Sequence, residues 1–316
     1  MRKVALLYNP ASGRRAKGRL QSLEAALQVL RTAGIQADLV PTDSPDKAGE
    51  AARHAINSGC DTVFACGGDG TIHNIAQVLA HSPAALGILP LGTANALAHD
   101  LHLPLNVVGA AKAALHALPR RIALGHIKYT NLQGNSSARY FVITAGVGVD
   151  AHLFYKLLAG IKQRLGMAAY YAKAWHLWFT YPMTRFHVEY SESDSGDSKS
   201  AQVTELLSVR IRDFGGVLRE LAPGSSLSRD DMRLILCRTR SRLAFLAYVT
   251  RGLLRTRWSV PGIDLAHAKK ASCQYMDTEL AKMQRIYVEA DGELIGTLPV
   301  EITIVPDALT LLAPSK

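Results

Sequence analysis

Gly67-Gly68-Asp69-Gly70-Thr71 decides the fold. It closes an apolar, β-branched run, Thr62-Val63-Phe64-Ala65-Cys66, and opens a helical pattern running from Thr71 through Ile72, His73 and Asn74 to Leu79. Three glycines in four residues let a ligand meet bare backbone and permit positive φ. A helix starting here turns unpaired N–H groups and the positive end of its dipole toward the loop, which suits a phosphate. An aspartate in such a cradle would repel phosphate directly. Asp69 therefore reads better as a ligand for a cation, Mg²⁺ by preference, that bridges to phosphate oxygens. A tight strand–helix turn with an Asp cap is the plainer alternative.

Outward from this loop the chain alternates strand and helix. Residues 3–8 read as a buried strand followed by the loop Asn9-Pro10-Ala11-Ser12-Gly13, with Arg14, Arg15 and Lys17 close behind. Leu20, Leu23, Leu27 and Leu30 then recur at helical spacing until Gly34. Strand 36–40, helix 46–58, strand 62–66, helix 71–81 and strand 86–89 follow. Next come Pro90-Leu91-Gly92-Thr93-Ala94-Asn95, a helix over 96–101 and another over about 105–118. This alternation predicts a parallel, doubly wound α/β sheet with ligands outside the carboxyl ends of its strands. The loops 9–15, 67–71 and 90–95 all lie at those ends. Thr93 and Asn95 suit either a helix start or contact with phosphate or ribose.

After about residue 122 strand-like runs recur at 122–130, 139–145, 185–190, 202–211, 232–238, 256–260, 285–290, 300–305 and 309–312. Many strands with few helices between them predict an antiparallel sandwich or barrel. The chain thus divides into an α/β domain over 1–122 and a β-sandwich domain over 123–316. Helical patterns interrupt the second at about 152–180 and 241–254. The first carries lysines with Tyr170, Tyr171, Trp175 and Trp178; the second is ringed by arginines, without one acid between 238 and 257. Basic amphipathic helices of this kind suit a bilayer surface, although the same apolar faces could pack on a sheet.

Composition agrees with that division. A chain of 316 residues, 48% hydrophobic, can build two cores. Its 36 basic against 26 acidic residues, a formal +10, favour a polyanionic partner: nucleotide, nucleic acid or an anionic membrane. No stacking platform or groove-reading motif supports nucleic acid. Cys60, Cys66, Cys237 and Cys273 are scattered without ligand spacing, which reads as a reduced, cytoplasmic chain without zinc. The apolar run after Met1-Arg2-Lys3 is too short for a signal peptide, so any membrane association is expected to be peripheral.

Two further stretches bear on chemistry. Gly146-Val147-Gly148-Val149-Asp150-Ala151 matches a dinucleotide fingerprint, yet no acid lies between Asp150 and Glu189 to hold a ribose, which argues against a dehydrogenase. Near the end, Glu289-Ala290-Asp291-Gly292-Glu293 sets three carboxylates about a glycine turn. They read either as a solvated hairpin or as a general base and its metal-binding or orienting neighbour in phosphoryl transfer.

Taken in order, Asn9-Pro10-x-Ser12-Gly13, Gly67-Gly68-Asp69-Gly70-Thr71, Pro90-Leu91-Gly92-Thr93-Ala94-Asn95 and Asp291-Gly292-Glu293 resemble the diacylglycerol kinase catalytic-domain family, which includes bacterial lipid kinases, sphingosine kinases and ceramide kinases. The resemblance spans nearly the whole chain. It implies an ATP- and Mg²⁺-dependent lipid kinase acting on a hydroxyl of diacylglycerol or a sphingoid or ceramide-like lipid at an anionic membrane; a homodimer is compatible with it. Asn9, Pro10, Ala11, Ser12, Gly13, Thr42, Gly67 through Asn74, Gly92, Thr93 and Asn95 would contact ATP. Asp69 would serve Mg²⁺–ATP or help deprotonate the lipid. Glu293 matches the proton acceptor, with Asp291 beside it, and Asp150 falls where the lipid head is contacted. Bacterial members also carry a structural Mg²⁺ loop. Its match here is Leu227, Asp230 and Met232, with Asp231 in place of a glycine. Ala96 stands where bacterial diacylglycerol kinases carry an aspartate; Asp100, one turn on and on the same face, could partly substitute for it. GGDGT alone also resembles NAD kinase, the enzymatic alternative. A catalytically silent nucleotide- and membrane-binding regulator is the alternative outside enzymes.

Overall fold

The computed structural model describes residues 1–10, 16–42, 44–148, 183–193, 197–215, 221–254, 256, 258–277 and 284–314. Ala11, Ser12, Gly13, Asp150 and the helical pattern expected at 152–180 lie outside them. The chain forms two compact units. One joins Met1–Leu124 to Asp213–Gly216 and Val305–Lys316; the other joins Gly125–Arg212 to Val217–Ile304. The division near 122 thus falls at 124, and the last strand returns to the first unit.

The first unit is the expected α/β layer. Its strands are β1 (Lys3–Tyr8), β2 (Gln36–Pro41), β3 (Thr62–Gly67) and β4 (Ala85–Pro90), alternating with α1 (Ala16–Thr32), α2 (Pro45–Asn57) and α3 (Asp69–Leu79). Helices α4 (Ala96–Asp100) and α5 (Val107–Leu115) follow β4. The order β2-β1-β3-β4 is parallel throughout. Every residue of β3 and β4 is buried, as a sheet covered on both faces requires. Local signals fix the helix ends: Ser44 Oγ accepts from the Lys47 amide before α2, and Asn106 Oδ1 from the Gly109 amide before α5. The apolar faces of α1 and α5 close a core with Leu6, Leu23, Leu30, Phe64, Leu89 and Ala111.

Beyond Leu124 the architecture changes to antiparallel sheets. The strands are β5 (Leu118–Asn131), β6 (Ser136–Phe141), β7 (Thr144–Gly148), β8 (Phe186–Ser191), β9 (Lys199–Val203), β10 (Glu205–Val209), β11 (Met232–Cys237), β12 (Ile263–Ala268), β13 (Lys270–Tyr275), β14 (Tyr287–Ala290) and β15 (Glu293–Ala313), with helix α6 (Arg242–Leu254) between β11 and β12. One sheet runs β12-β11-β10-β7-β14-β15; β15 leaves β14 after Thr297 and pairs β13 from Val300, starting the second sheet with β8, β9, β5 and β6. Val147, Leu206, Leu234 and Val288 from one sheet meet Val188, Ala201, Ala271 and Ile302 from the other in one core.

Several strand expectations needed correction. The run 139–145 is two strands, interrupted where backbone amides turn toward Asp291, and 202–211 is broken at Thr204. Among the described residues, 256 and 258–260 form no strand, whereas Ile263–Ala268 and Lys270–Tyr275 do. Both are rich in Ala, His, Lys and Ser, so they lack a β-branched signature. Runs 300–305 and 309–312 belong to the single strand β15.

Candidate active site

In the first unit the site is built by register. Tyr8 pairs with both Pro41 and Cys66, and Gly67 pairs with Pro90, so the four parallel strands end level. Asn9, Thr42, Gly68 and Leu91 therefore leave the sheet along one edge, where a doubly wound sheet binds ligands. Thr42 is buried; its amide donates to the Tyr8 carbonyl at 2.8 Å, tying the β1 and β2 exits together. Arg19 Nη2 donates to the Leu91 carbonyl at 3.2 Å, beside a cavity of 250 Å³ lined by Tyr8, Asn9 and Pro10.

The two glycine loops touch. A Cβ on Gly92 would sit 2.5 Å from Gly68 Cα, and one on Gly68 would meet Gly92 Cα at 3.1 Å, so neither position accepts a side chain without moving backbone. Gly68 is also the N-cap of α3, and no side chain caps that helix. Its N-terminal turn thus keeps the anion-binding character that the sequence suggested. Asp69 is the first residue of α3, and its Oδ1 accepts from the Leu97 amide at 3.4 Å, facing the start of α4. Asn95 adopts a left-handed backbone (φ 50°), and its amide group bridges Gly92, accepting from its N and donating to its O at 2.9 Å each. Asn95 is thereby buried as the brace of its own loop, while Gly92 and Thr93 are exposed. Gly70 and Thr71 are half-buried at the start of α3. Ile72, His73 and Asn74 are buried, with His73 Nε2 3.5 Å from Gln77 Nε2, so a nucleotide would meet this stretch through backbone. Asp100 Oδ1 accepts from the Asp213 amide at 3.0 Å and so holds the 213–215 loop.

In the second unit, hydrogen bonding sorts the three carboxylates. Ala290-Asp291-Gly292-Glu293 is a two-residue hairpin with φ of 49° at Asp291 and 81° at Gly292, the turn favoured by Asp-Gly. Asp291 is buried, and its carboxylate accepts three amides: Val142 at 2.9 Å, Ile143 at 2.8 Å and Thr144 at 3.0 Å. Glu289 is also buried and accepts from the Gly292 amide at 2.8 Å and Thr144 Oγ1 at 3.4 Å. Glu293 alone of the three reaches solvent, its side chain 36% exposed, and it pairs with Arg139 Nη1 at 3.2 Å. Asp291 and Glu289 thus shape the turn that presents Glu293. Sequence reading missed Arg139 and Thr144, whose positions carry no local signal. The apparent dinucleotide fingerprint also finds a structural use: Gly146 lies inside β7, where a Cβ would come within 2.9 Å of Glu289 Oε1.

The positions expected for a structural metal loop run from the turn at 227–231 into the first residue of β11. Leu227 and Met232 bury their side chains, Asp230 is exposed, and Asp231 is engaged by Arg229 Nε at 2.8 Å and His267 Nδ1 at 3.2 Å. No cluster of three or more His, Cys, Asp or Glu fit to hold a metal occurs among the described residues.

Residues 3–127 match the family profile of the diacylglycerol kinase catalytic domain. Over these residues the chain resembles that catalytic domain. A diacylglycerol kinase of Bacillus subtilis (strain 168) is 28% identical over 304 residues, covering 95% of this chain and 93% of the relative. One of Staphylococcus epidermidis is 26% identical over 317 residues, covering 99% and 93%. A crystal structure of a diacylglycerol kinase from Bacillus anthracis str. Sterne superposes with a TM-score of 0.71 at 18% identity, covering 98% of this chain and 96% of that one. Yeast NADH kinase complexed with NADH superposes with a TM-score of 0.51 at 10% identity, covering 99% and 84%. The fold is thus that of the diacylglycerol kinase and NAD kinase group, and the expected α/β plus β-sandwich architecture holds. Both of these bacterial relatives are named diacylglycerol kinases. No helix among the described residues is long and apolar enough to cross a membrane.

Proposed function

We propose that this protein is an ATP- and Mg²⁺-dependent lipid kinase that phosphorylates a hydroxyl of diacylglycerol or a related sphingoid or ceramide-like lipid. The observation that carries the reading is the Gly68–Gly92 contact at the level ends of the parallel strands, which exposes backbone beside the uncapped start of α3. Such a surface fits a polyphosphate, and the Asp69 carboxylate at the same helix start fits the accompanying cation. Bound Mg²⁺–ATP would supply the phosphoryl group and neutralise charge on its oxygens. Gly68, Asp69 and the exposed Gly92 and Thr93 would hold and orient it. Glu293, the solvent-reaching carboxylate of its turn, would accept the proton of the lipid hydroxyl at its carboxylate oxygen, with Arg139 fixing its direction. Asp291 would act by positioning that turn.

The partner in this reading is an anionic membrane. Leu243 of α6 is 77% exposed, and Leu246 and Trp258 are exposed as well. Arg185, Arg240 and Arg242 line a cavity of 870 Å³ together with Leu243 and Met276, and no acid is among its lining residues within the described chain. The face of α6 that packs inward is that of Tyr248 and Arg251 instead. Exposed apolar groups ringed by arginines match a headgroup layer.

The deciding experiment incubates the protein with radiolabelled ATP, Mg²⁺ and a panel of lipids in mixed micelles. Label appearing in diacylglycerol or a sphingoid lipid supports the proposal. Phosphorylation of NAD without lipid turnover would move the protein to the alternative favoured by its NADH kinase-like fold.

A further inference from the structure

Arg210, which follows β10, is fully buried and among the largest side chains without solvent exposure. Its amide donates to the Ile143 carbonyl at 2.9 Å, continuing the sheet. Its Nη1 crosses to the turn before β11, donating to the Arg229 carbonyl at 2.7 Å and to the Asp231 carbonyl. This is the turn in which the resemblance places a structural Mg²⁺. We infer that Arg210 is the resident cation of this turn, so that the protein needs no structural metal there.

The arrangement leaves little for a divalent ion. Mg²⁺ requires near-octahedral oxygen ligands at short range, whereas the carbonyls of Arg229 and Asp231 already face a guanidinium. The Asp231 carboxylate is turned to Arg229 and His267, and Asp230, the carboxylate that the resemblance names, is exposed to solvent. A second tether needs no metal either: Ser225 Oγ lies 2.6 Å from the Ile211 carbonyl and 2.7 Å from that of Ala222. Burial lowers the Arg210 pKa to about 10, against the opposing fields of Asp231 and Asp230, so the group stays charged at neutral pH. A planar guanidinium presents several fixed donors, so it can join the carbonyls of Arg229 and Asp231 across one turn as a metal would. The permanent side chain thereby replaces an exchangeable ion.

Thermal unfolding tests this without reference to the substrate, so failure here and failure of the kinase reading are separable. Nucleotide-free protein is melted in EDTA and in millimolar MgCl₂, and its magnesium content is measured by elemental analysis. The expected result is the same Tm in both buffers and no stoichiometric magnesium. Arg210→Met, which leaves the two carbonyls without their donor, is expected to lower Tm by on the order of 5 °C; Arg210→Lys, keeping charge with fewer donors, should fall between. A wild-type Tm that drops in EDTA and returns with Mg²⁺ would overturn the inference, as would Arg210→Met melting with the wild type. Should Arg210→Met not fold, the chelation and magnesium measurements on the wild type decide alone.

Discussion

The two units build their functional candidates from opposite materials. In the first, the site is backbone: glycines packed against each other, a helix start without a side-chain cap, and one aspartate. In the second it is side chain: three carboxylates within five residues, separated in role only by what each accepts. Backbone sites need special residue types at fixed spacing, and those leave a mark in sequence. Carboxylate roles depend on which distant amides turn toward them, and those leave none.

The sharpest test of the second half of this comparison sets Glu293 against Asp291. Glu293→Gln should lower kcat by about 10²–10⁴-fold, the usual contribution of a general base, with Tm unchanged. Equal rates for the variant and wild type would remove Glu293 from the chemistry. Asp291→Ala should show the reverse emphasis. It removes a buried acceptor from three amides, and urea denaturation should reveal a loss of about 4 kcal/mol, since hydrogen bonds to a charged group contribute about 1.5–3 kcal/mol each and do not add fully. If Asp291→Ala keeps full stability while activity vanishes, the positions exchange roles.

The backbone half is tested at Gly92. Gly92→Ala would press a methyl against Gly68, and a loss of about 2 kcal/mol is expected together with weaker ATP binding by calorimetry. Unchanged ATP affinity would detach the glycine contact from the nucleotide.

The smallest effect concerns acid. Burial alone would raise the Asp231 carboxyl, but hydrogen bonds and charge from Arg229 and His267 hold it below the ordinary carboxylate range. A carboxylate depressed in the folded state contributes stability that is present above its unfolded pKa and lost as pH falls through the folded value. Wild-type stability should therefore decline below about pH 4 by more than that of Asp231→Asn in pH-dependent denaturation. Parallel curves would show that the ion pairs contribute nothing.

Much of the first unit was legible because its signals are local. Gly34 ends α1, Ser44 and Pro45 open α2, and Gly67–Thr71 joins β3 to α3 within a residue or two of the expected bounds. The second unit was less so. Nothing in Ile263–Ala268 or Lys270–Tyr275 alternates strongly enough to announce a strand; pairing with β11, β8 and β15 makes them strands. The break between β6 and β7 is set by Asp291, almost 150 residues later, and no window over 139–145 contains that information. Within the site, Asn95, whose sequence suits either a helix start or a phosphate or ribose contact, also braces its own loop, because a left-handed asparagine can hydrogen-bond to backbone three residues earlier.

Strand β15 has a consequence for how the molecule is made. Its final residues pair with β4, Thr310 beside Ala85 and Leu311 beside Leu86, and Arg121 Nη1 fastens to Thr310 Oγ1 at 3.1 Å. During synthesis the parallel sheet of the first unit therefore waits, its β4 flank open, until more than two hundred further residues have emerged from the ribosome. A fragment cut after residue 124 would present that bare flank to its neighbours, an invitation to clump that Thr310 and Leu311 close in the 316-residue chain.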